Sequence, residues 1–361
     1  MKKIKCLSTI LLSAVISACA KGNLVPSDTN TYIVWQYENV YNDGELYIDS
    51  SDRLNFIDFQ TMQSALLCSK PNCSHKSESE CSAFGMKNHP ILHNGNLYFF
   101  DVKTDFDGDE ITDTTTVYKA DTDGTGRVKI CEIKGLALNY YERMLIVGNK
   151  AYFSMDKNGW NDAHTATSGY NEVWFCDYDF STNTFERIEK LHEGWASGSW
   201  IYGLFDGRVI FSYAYSEEKI HFDLNVSEAD ERFIYVFKSY NIKNGTVDNL
   251  EFPEPLLVAG GYYIYEKDGG AVVICENGEE ALLPDFPANT TSIPCIINGK
   301  LFHCSKQICA DLTNGKMYAL SSSDNVVVYL DGSYILKKYN EYSTIYEYSK
   351  IAENDYIRSI S

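Results

Sequence analysis

The chain has 361 residues, with 27 Tyr and 18 Phe against only 8 Pro, a composition that leans towards β-structure, because aromatic side chains suit the pleated, half-buried surface of a sheet. Its formal charge of −19 repels a phosphate backbone and anionic lipid head groups, which argues against nucleic acid as a partner and against a basic patch as the means of holding a membrane. The length would allow two domains, but no composition shift or second type of periodicity divides the chain.

Residues 1–18 read as a targeting segment. Lys2, Lys3 and Lys5 form a positive region, and Leu7 to Val15 is an apolar stretch too short to span a bilayer as a mature helix. The next four residues, Ile16-Ser17-Ala18-Cys19, resemble a bacterial lipobox. That resemblance implies cleavage before Cys19 and a diacylglycerol thioether on its sulfur, with the protein held on the extracytoplasmic face of the cell membrane. An ordinary secretory signal followed by an unrelated cysteine is the alternative. Loss of the three lysines takes the formal charge to −22, so acyl chains, worth about 0.8 kcal/mol per buried methylene, must supply the anchor. Residues 19–30 are polar and read as a flexible spacer; residues 31–361 read as one domain.

A phrase recurs through that domain: a turn with Gly, then a short apolar and aromatic strand. It occurs at Asn42-Asp43-Gly44-Glu45-Leu46-Tyr47-Ile48, His93-Asn94-Gly95-Asn96-Leu97-Tyr98-Phe99, Gly148-Asn149-Lys150-Ala151-Tyr152-Phe153 and Asp206-Gly207-Arg208-Val209-Ile210-Phe211. It returns at Gly260-Gly261-Tyr262-Tyr263-Ile264-Tyr265, Asn298-Gly299-Lys300-Leu301-Phe302 and Asp331-Gly332-Ser333-Tyr334-Ile335-Leu336. Asn-Gly and Asp-Gly favour the positive φ angles of tight hairpins, and a spacing of roughly 40–50 residues is that of four-stranded propeller blades. The expectation is an all-β β-propeller of four-stranded antiparallel blades, seven by the number of phrases, with six or eight the neighbouring possibilities. Thr31 to Tyr37 would complete the blade made by the C-terminal strands. An antiparallel sandwich with Gly turns is the alternative, but it needs no fixed period.

The segment Tyr118-Lys119-Ala120-Asp121-Thr122-Asp123-Gly124-Thr125-Gly126 resembles the blade phrase of the TolB-like propellers. The overall likeness runs over about residues 31–350, yet only this one blade matches closely. Asn241-Ile242-Lys243-Asn244-Gly245 keeps the turn and loses the rest.

The sharpest local feature is Cys68-Ser69-Lys70-Pro71-Asn72-Cys73-Ser74-His75, followed by Cys81. Three thiols and an imidazole match a closed Cys₃His zinc site. Such a set leaves no open position, so the ion would be structural. The competing reading is disulfide bonding. Eleven cysteines less Cys6 and Cys19 leave nine, an odd number that cannot pair fully within one chain. Of the remaining six, Cys131, Cys176, Cys275, Cys295, Cys304 and Cys309, several lie inside strand phrases and read as buried apolar thiols. The Cys/His segment also resembles one found in exported propeller lipoproteins, a likeness that implies a shared structural element and brings no activity.

Asp105, Asp107, Asp109 and Asp113 suggest a calcium loop, although Glu110 replaces the sixth-position Gly and Thr116 the bidentate acid. An acidic, solvated hairpin is the plainer reading. His192-Glu193-Gly194-Trp195-Ala196 lacks the second His of a zinc protease, and Ser197 stands one place late for a nucleophile elbow. His89, His93, His164 and His221 are scattered and read as surface or packing residues. Trp160, Trp195 and Trp200 sit in or near blade connections, where they either pack between blades or stack on a sugar or peptide. The function expected is therefore a membrane-tethered module that binds or scaffolds a protein or carbohydrate. The alternative is a glycan-active hydrolase or lyase using carboxylates at the propeller mouth.

Overall fold

A computed structural model describes residues 31–34, 38–41, 43–70, 72–77, 80–86, 89–107, 110–138, 143–158, 170–218, 233–287, 294–340 and 345–359. Residues 1–30, with the expected signal, spacer and lipid attachment at Cys19, lie outside the described residues, as do Asp109, Trp160, His164 and His221. Two compact units divide the chain, one of Asn30–Ile201 with Phe211–Asn249, the other containing Tyr202–Ile210 with Leu250–Ser361.

In the first unit, β1 (Thr31–Val34) precedes a sheet of β2 (Glu38–Val40), β3 (Gly44–Ile48), β4 (Leu54–Asp58) and β5 (Gln63–Leu66). A second sheet contains β6 (Ile91–His93), β7 (Asn96–Asp107), β8 (Glu110–Asp121) and β9 (Val128–Lys134). Then come β10 (Met144–Val147), β11 (Lys150–Asn158), β12 (Tyr170–Asp179) and the 22-residue β13 (Thr184–Phe205). Without a break in hydrogen bonding, β13 leads into β14 (Arg208–Ser216), β15 (Ile234–Asn241) and β16 (Thr246–Asn249). It is thus the last strand of one meander and the first of the next.

Later in the chain, β17 (Pro255–Ala259), β18 (Tyr262–Lys267), β19 (Gly270–Cys275) and β20 (Glu280–Leu283) form another four-stranded sheet. The next holds β21 (Cys295–Ile297), β22 (Lys300–His303), β23 (Ile308–Asp311) and β24 (Met317–Leu320). The last has β25 (Asn325–Leu330), β26 (Ser333–Asn340) and β27 (Ile345–Ala352); a short helix, α1 (Glu353–Tyr356), then returns the chain as β28 (Ile357–Ser359), a fifth strand beside β24.

Seven consecutive antiparallel meanders result among the described residues, the blade pattern of a β-propeller. Each of the seven Gly phrases forms the first hairpin of one meander. Asn94-Gly95, Asp206-Gly207, Asn298-Gly299 and Asp331-Gly332 have φ between +48° and +75° at both residues, as a two-residue hairpin turn with the twist of its strands requires.

The strand after such a turn is buried on both faces. Along β7, Leu97 and Phe99 pack with Leu46, Leu54 and Met86, whereas Tyr98 and Phe100 pack with Ile91, Phe153 and Tyr178. Alternation along a strand sends successive side chains to opposite sides, so an unbroken apolar run joins two interfaces. In β18, Tyr262 and Ile264 likewise face one cluster and Tyr263 and Tyr265 another. Replacing a residue such as Phe100 with Ala would cost about 3–5 kcal/mol.

Contrary to expectation, the N-terminal strand does not complete the C-terminal blade: β1 pairs antiparallel with β10, from Thr31↔Val147 to Val34↔Met144. Burial explains the choice, since Val34 is inaccessible in a cluster with Ile91, Met144 and Ile146, and the Tyr32 hydroxyl donates to the Leu92 carbonyl at 3.2 Å. The C-terminal sheet keeps three strands among the described residues.

Glu353 fastens the C-terminal turn. Its carboxylate meets Lys300 Nζ at 2.9 Å and accepts from the Tyr329 and Tyr334 hydroxyls at 2.9 and 3.3 Å. Burial acts to raise this carboxyl, but the Lys300 ammonium and the two phenols outweigh it and hold it below the usual glutamate range. A carboxylate depressed in the folded state adds stability that is complete above the unfolded-state pKa and lost as the pH falls through the folded one. Glu353→Gln should therefore lower stability by about 1–2 kcal/mol at neutral pH, a figure reduced for the partial exposure of the pair. The difference from wild type should shrink as urea denaturation is repeated below about pH 4.

Candidate metal centre

The segment between β5 and β6 carries the Cys/His cluster, and both of its ends are fixed to the first sheet. Leu67 N–H donates to the Leu54 carbonyl at 3.0 Å, and Leu54 N–H donates to Ala83 at 2.9 Å. Between these ends the chain folds on itself. Cys73 N–H reaches the Lys70 carbonyl at 3.3 Å, with Asn72 in the left-handed region at φ 58°, and Cys81 N–H reaches Ser77 at 3.0 Å. Lys70 Nζ donates to the Glu80 carbonyl at 2.9 Å, while the Ser74 hydroxyl donates to the Glu80 carboxylate at 2.6 Å.

These contacts bring one donor atom from each of Cys68, Cys73, His75 and Cys81 within 4.8 Å of one another. His75 presents Nδ1, 3.3 Å from Cys81 Sγ. A tetrahedral zinc ion with Zn–S of about 2.3 Å and Zn–N of about 2.0 Å separates its ligands by roughly 3.5–3.8 Å, so the four atoms suit such an ion after small inward shifts. Cys68, Cys73 and Cys81 are free thiols, with no disulfide among them. Burial acts to raise the Cys68 thiol, but hydrogen bonds from the Ser82 side chain and from the backbone of Lys70 and Ser82 bring it down to about 6. Burial pushes the Cys81 thiol up to about 11.

The segment is also seated on the second sheet, in the turn between β8 and β9. Ser69 donates its hydroxyl to the Asp123 carboxylate, which also accepts from the Thr125 N–H and hydroxyl at 3.0 and 2.6 Å. The Ser82 hydroxyl donates to the Asp123 carbonyl at 3.1 Å. Arg127 lies against the Phe99 ring, 4.8 Å from its centroid, and donates to the Phe84 carbonyl at 2.6 Å. Gly124, at φ +75°, comes so close that a Cβ there would stand 2.7 Å from the Ser82 carbonyl oxygen. The Tyr118 to Gly126 phrase is therefore the seat of the cluster as well as a turn. The four donors were recognisable in the sequence, whereas Ser69, Ser82, Asp123, Gly124 and Arg127 were missed. For Asp123 and Gly124 the one signal was that this copy of the phrase is the most complete; Ser69, Ser82 and Arg127 lie outside the phrase and had none.

A cleft of about 500 Å³ adjoins the centre, with Leu46, Phe56, Leu67, Leu92 and Leu97 in its lining and Asp43 and Asp123 as its carboxylates. Hydrogen bonds from Ser69 and Thr125 lower the Asp123 carboxyl to about 2. It is ionised and committed to those donors, which suits an anchor and not a general acid.

The other candidates fall elsewhere. Asp105 opposes Thr112 and Asp113 opposes Thr104 in the β7–β8 register, so these two acids lie on opposite faces of an extended hairpin. Asp105 holds Lys103 at 2.7 Å, and the Thr104 hydroxyl donates to Asp113 at 2.7 Å. Asp107 closes the hairpin opposite Glu110. His93 stacks on Phe180 with centroids 4.7 Å apart, and His89 is buried. Trp200 carries the Arg143 guanidinium 3.7 Å from its ring centre, a packing role. Trp195 and His192 both lie on β13, a strand and not a protease helix.

No family model matches the sequence, and no curated protein is similar to it. Among solved structures, the β-propeller domain of the trilobed protease from Pyrococcus furiosus is similar at TM-score 0.42 and 10% identity, over 92% of this chain and 97% of that one. An oligogalacturonate lyase in complex with manganese is similar at TM-score 0.37 and 9% identity, over 80% and 74% of the two chains. The oligogalacturonate lyase of Vibrio parahaemolyticus is similar at TM-score 0.36 and 8% identity, over 80% and 75%.

If Gly124 is needed for close approach as well as for its φ, Gly124→Ala should cost more than Gly95→Ala. Gly95 has φ +70° but nothing within 4 Å of the added methyl. The control should lose about 1–2 kcal/mol from the left-handed backbone alone. Urea titration of both variants reads the excess at Gly124, and equal losses would count against the seating described.

Proposed function

We propose that this chain is a lipid-anchored, extracytoplasmic β-propeller acting as a binding or scaffolding module, with one structural zinc ion held by Cys68, Cys73, His75 and Cys81. The observation that carries the reading is the convergence of four zinc-type donors within 4.8 Å on an excursion tied to two successive sheets. A closed Cys₃His set offers no site for substrate or activated water; its work is to hold that excursion in shape beside the cleft. The cleft, apolar with carboxylates at its edge, is the surface for a ligand, and its volume lies in the range of small-molecule and side-chain pockets. The lipobox-like run ending at Cys19 supports the anchor, and the −19 charge supports a partner other than nucleic acid or anionic lipid.

The full chain should contain one zinc per molecule by elemental analysis, and Cys81→Ser should lose most of it. Chelation should lower the melting temperature by roughly 5 °C, the scale of a tightly bound ligand on a domain of this size. A metal-free protein with a Cys68–Cys73 or Cys73–Cys81 disulfide would sink the zinc assignment. The anchor is tested separately. Cys19→Ser should abolish incorporation of labelled fatty acid and release the chain from the membrane fraction, and continued labelling of the variant would exclude Cys19 as the attachment point.

A further inference from the structure

A second group of thiols lies at the β21–β22 hairpin, far in sequence from the Cys/His cluster. Cys295 opposes Phe302 directly in the register, and Cys304 lies two residues beyond Phe302, just past the end of β22. Cys304 opens a single 3₁₀ turn, Cys304–Lys306, which leads from β22 into β23. Both cysteines pack in the cluster of Phe302, Val326, Tyr334 and Tyr356. The Cys295 sulfur lies 3.9 Å from the Val326 carbonyl oxygen, and the Cys304 sulfur accepts from the Val326 backbone, from the Tyr356 hydroxyl and from the Cys295 thiol, whose one proton is directed to it.

We propose that Cys295 and Cys304 are a reversible dithiol–disulfide pair that cross-links the open end of the β21–β22 hairpin. Both are free and neither residue is fully enclosed, and only Cys304 has to meet the external disulfide. The hydrogen bond from Cys295 favours the thiolate at Cys304, bringing it down to about 7 despite burial. The same bond keeps the proton on Cys295. That asymmetry assigns the order of events. The Cys304 thiolate attacks one sulfur of an external disulfide, breaking its S–S bond and releasing one thiol. Cys295 then gives up its proton and attacks the Cys304 sulfur, expelling the second thiol. Two protein thiols lose two electrons and two protons, and the external disulfide is reduced to two thiols.

Cys309, the third thiol of the group, sits opposite Phe302 in β23 but is wholly inaccessible, and burial pushes it up to about 12. It is excluded from the exchange by burial and by protonation. The chemistry therefore selects one pair out of three thiols.

The test is oxidation of the folded full chain with excess oxidised glutathione, followed by alkylation in denaturant and peptide mapping. Cleavage after Lys300 and Lys306 puts each of the three cysteines on its own peptide. The expected result is a Cys295–Cys304 cross-link, with both residues lost from the alkylated pool, Cys309 still alkylated, and full recovery after dithiothreitol. Cys295→Ser should leave glutathione trapped on Cys304, a readout on the folded variant that a merely packed cysteine would not give. Continued alkylation of both residues, a Cys304–Cys309 link, or glutathione persisting on Cys304 of the wild type would each overturn the proposal.

Discussion

Leu97, Tyr98, Phe99 and Phe100 succeed one another without a polar interruption, and each is nearly inaccessible to water because β7 has packed side chains on either side. A strand in that position cannot use the hydrophobic-in, polar-out alternation of a solvated sheet. It must supply two interfaces at once, and aromatic rings do so with the most buried area per residue. The abundance of Tyr and Phe reflects this requirement. So do the ring contacts that cross between strands, such as Phe100 with Phe153 and Tyr178 at 5.6 and 5.9 Å.

The same constraint limits where chemistry can sit. With the strand after each Gly turn committed to packing, the four zinc-type donors lie in an excursion between two sheets. The Cys/His segment illustrates how such an excursion is held. Besides burying Ala83 and Met86, it is held by Asp123, Gly124 and Arg127 of the neighbouring turn. Arg127 contributes through its flat face on Phe99 as much as through its hydrogen bonds, an arrangement that a lysine would not reproduce.

Much of this was legible in the chain itself. The Gly phrases marked the first hairpin of each meander because Asn-Gly and Asp-Gly pairs have few other low-strain uses, and local turn chemistry does not depend on distant residues. The four donors were legible for a similar reason: they lie within fourteen positions. The features that stayed hidden are non-local. Nothing in Thr31–Val34 says that its partner is β10 and not a C-terminal strand, because backbone pairing carries no residue code and the decision rests on the burial of Val34. Ser69 and Asp123, 54 positions apart, could not be linked for the same reason. At the acidic run, the register puts Asp105 and Asp113 on opposite faces of the β7–β8 hairpin, a placement that their spacing in the sequence does not distinguish from that of a curled loop.

The long strand β13 ties two meanders together in a way the others are not. Elsewhere a loop stands between the end of one meander and the start of the next, and a loop can absorb an inserted residue or a local slip. Here 22 residues of unbroken strand serve both. A shift of one position to suit β12 would invert every side chain presented to β14. The pairing with β12 already contains two irregularities, at Val173/Trp174 and Phe175/Cys176, where β13 carries an extra residue each time, Leu191 and Ile188. The third and fourth meanders are thus a single inheritance unit: neither can be lengthened, duplicated or exchanged for a relative's without carrying the other along.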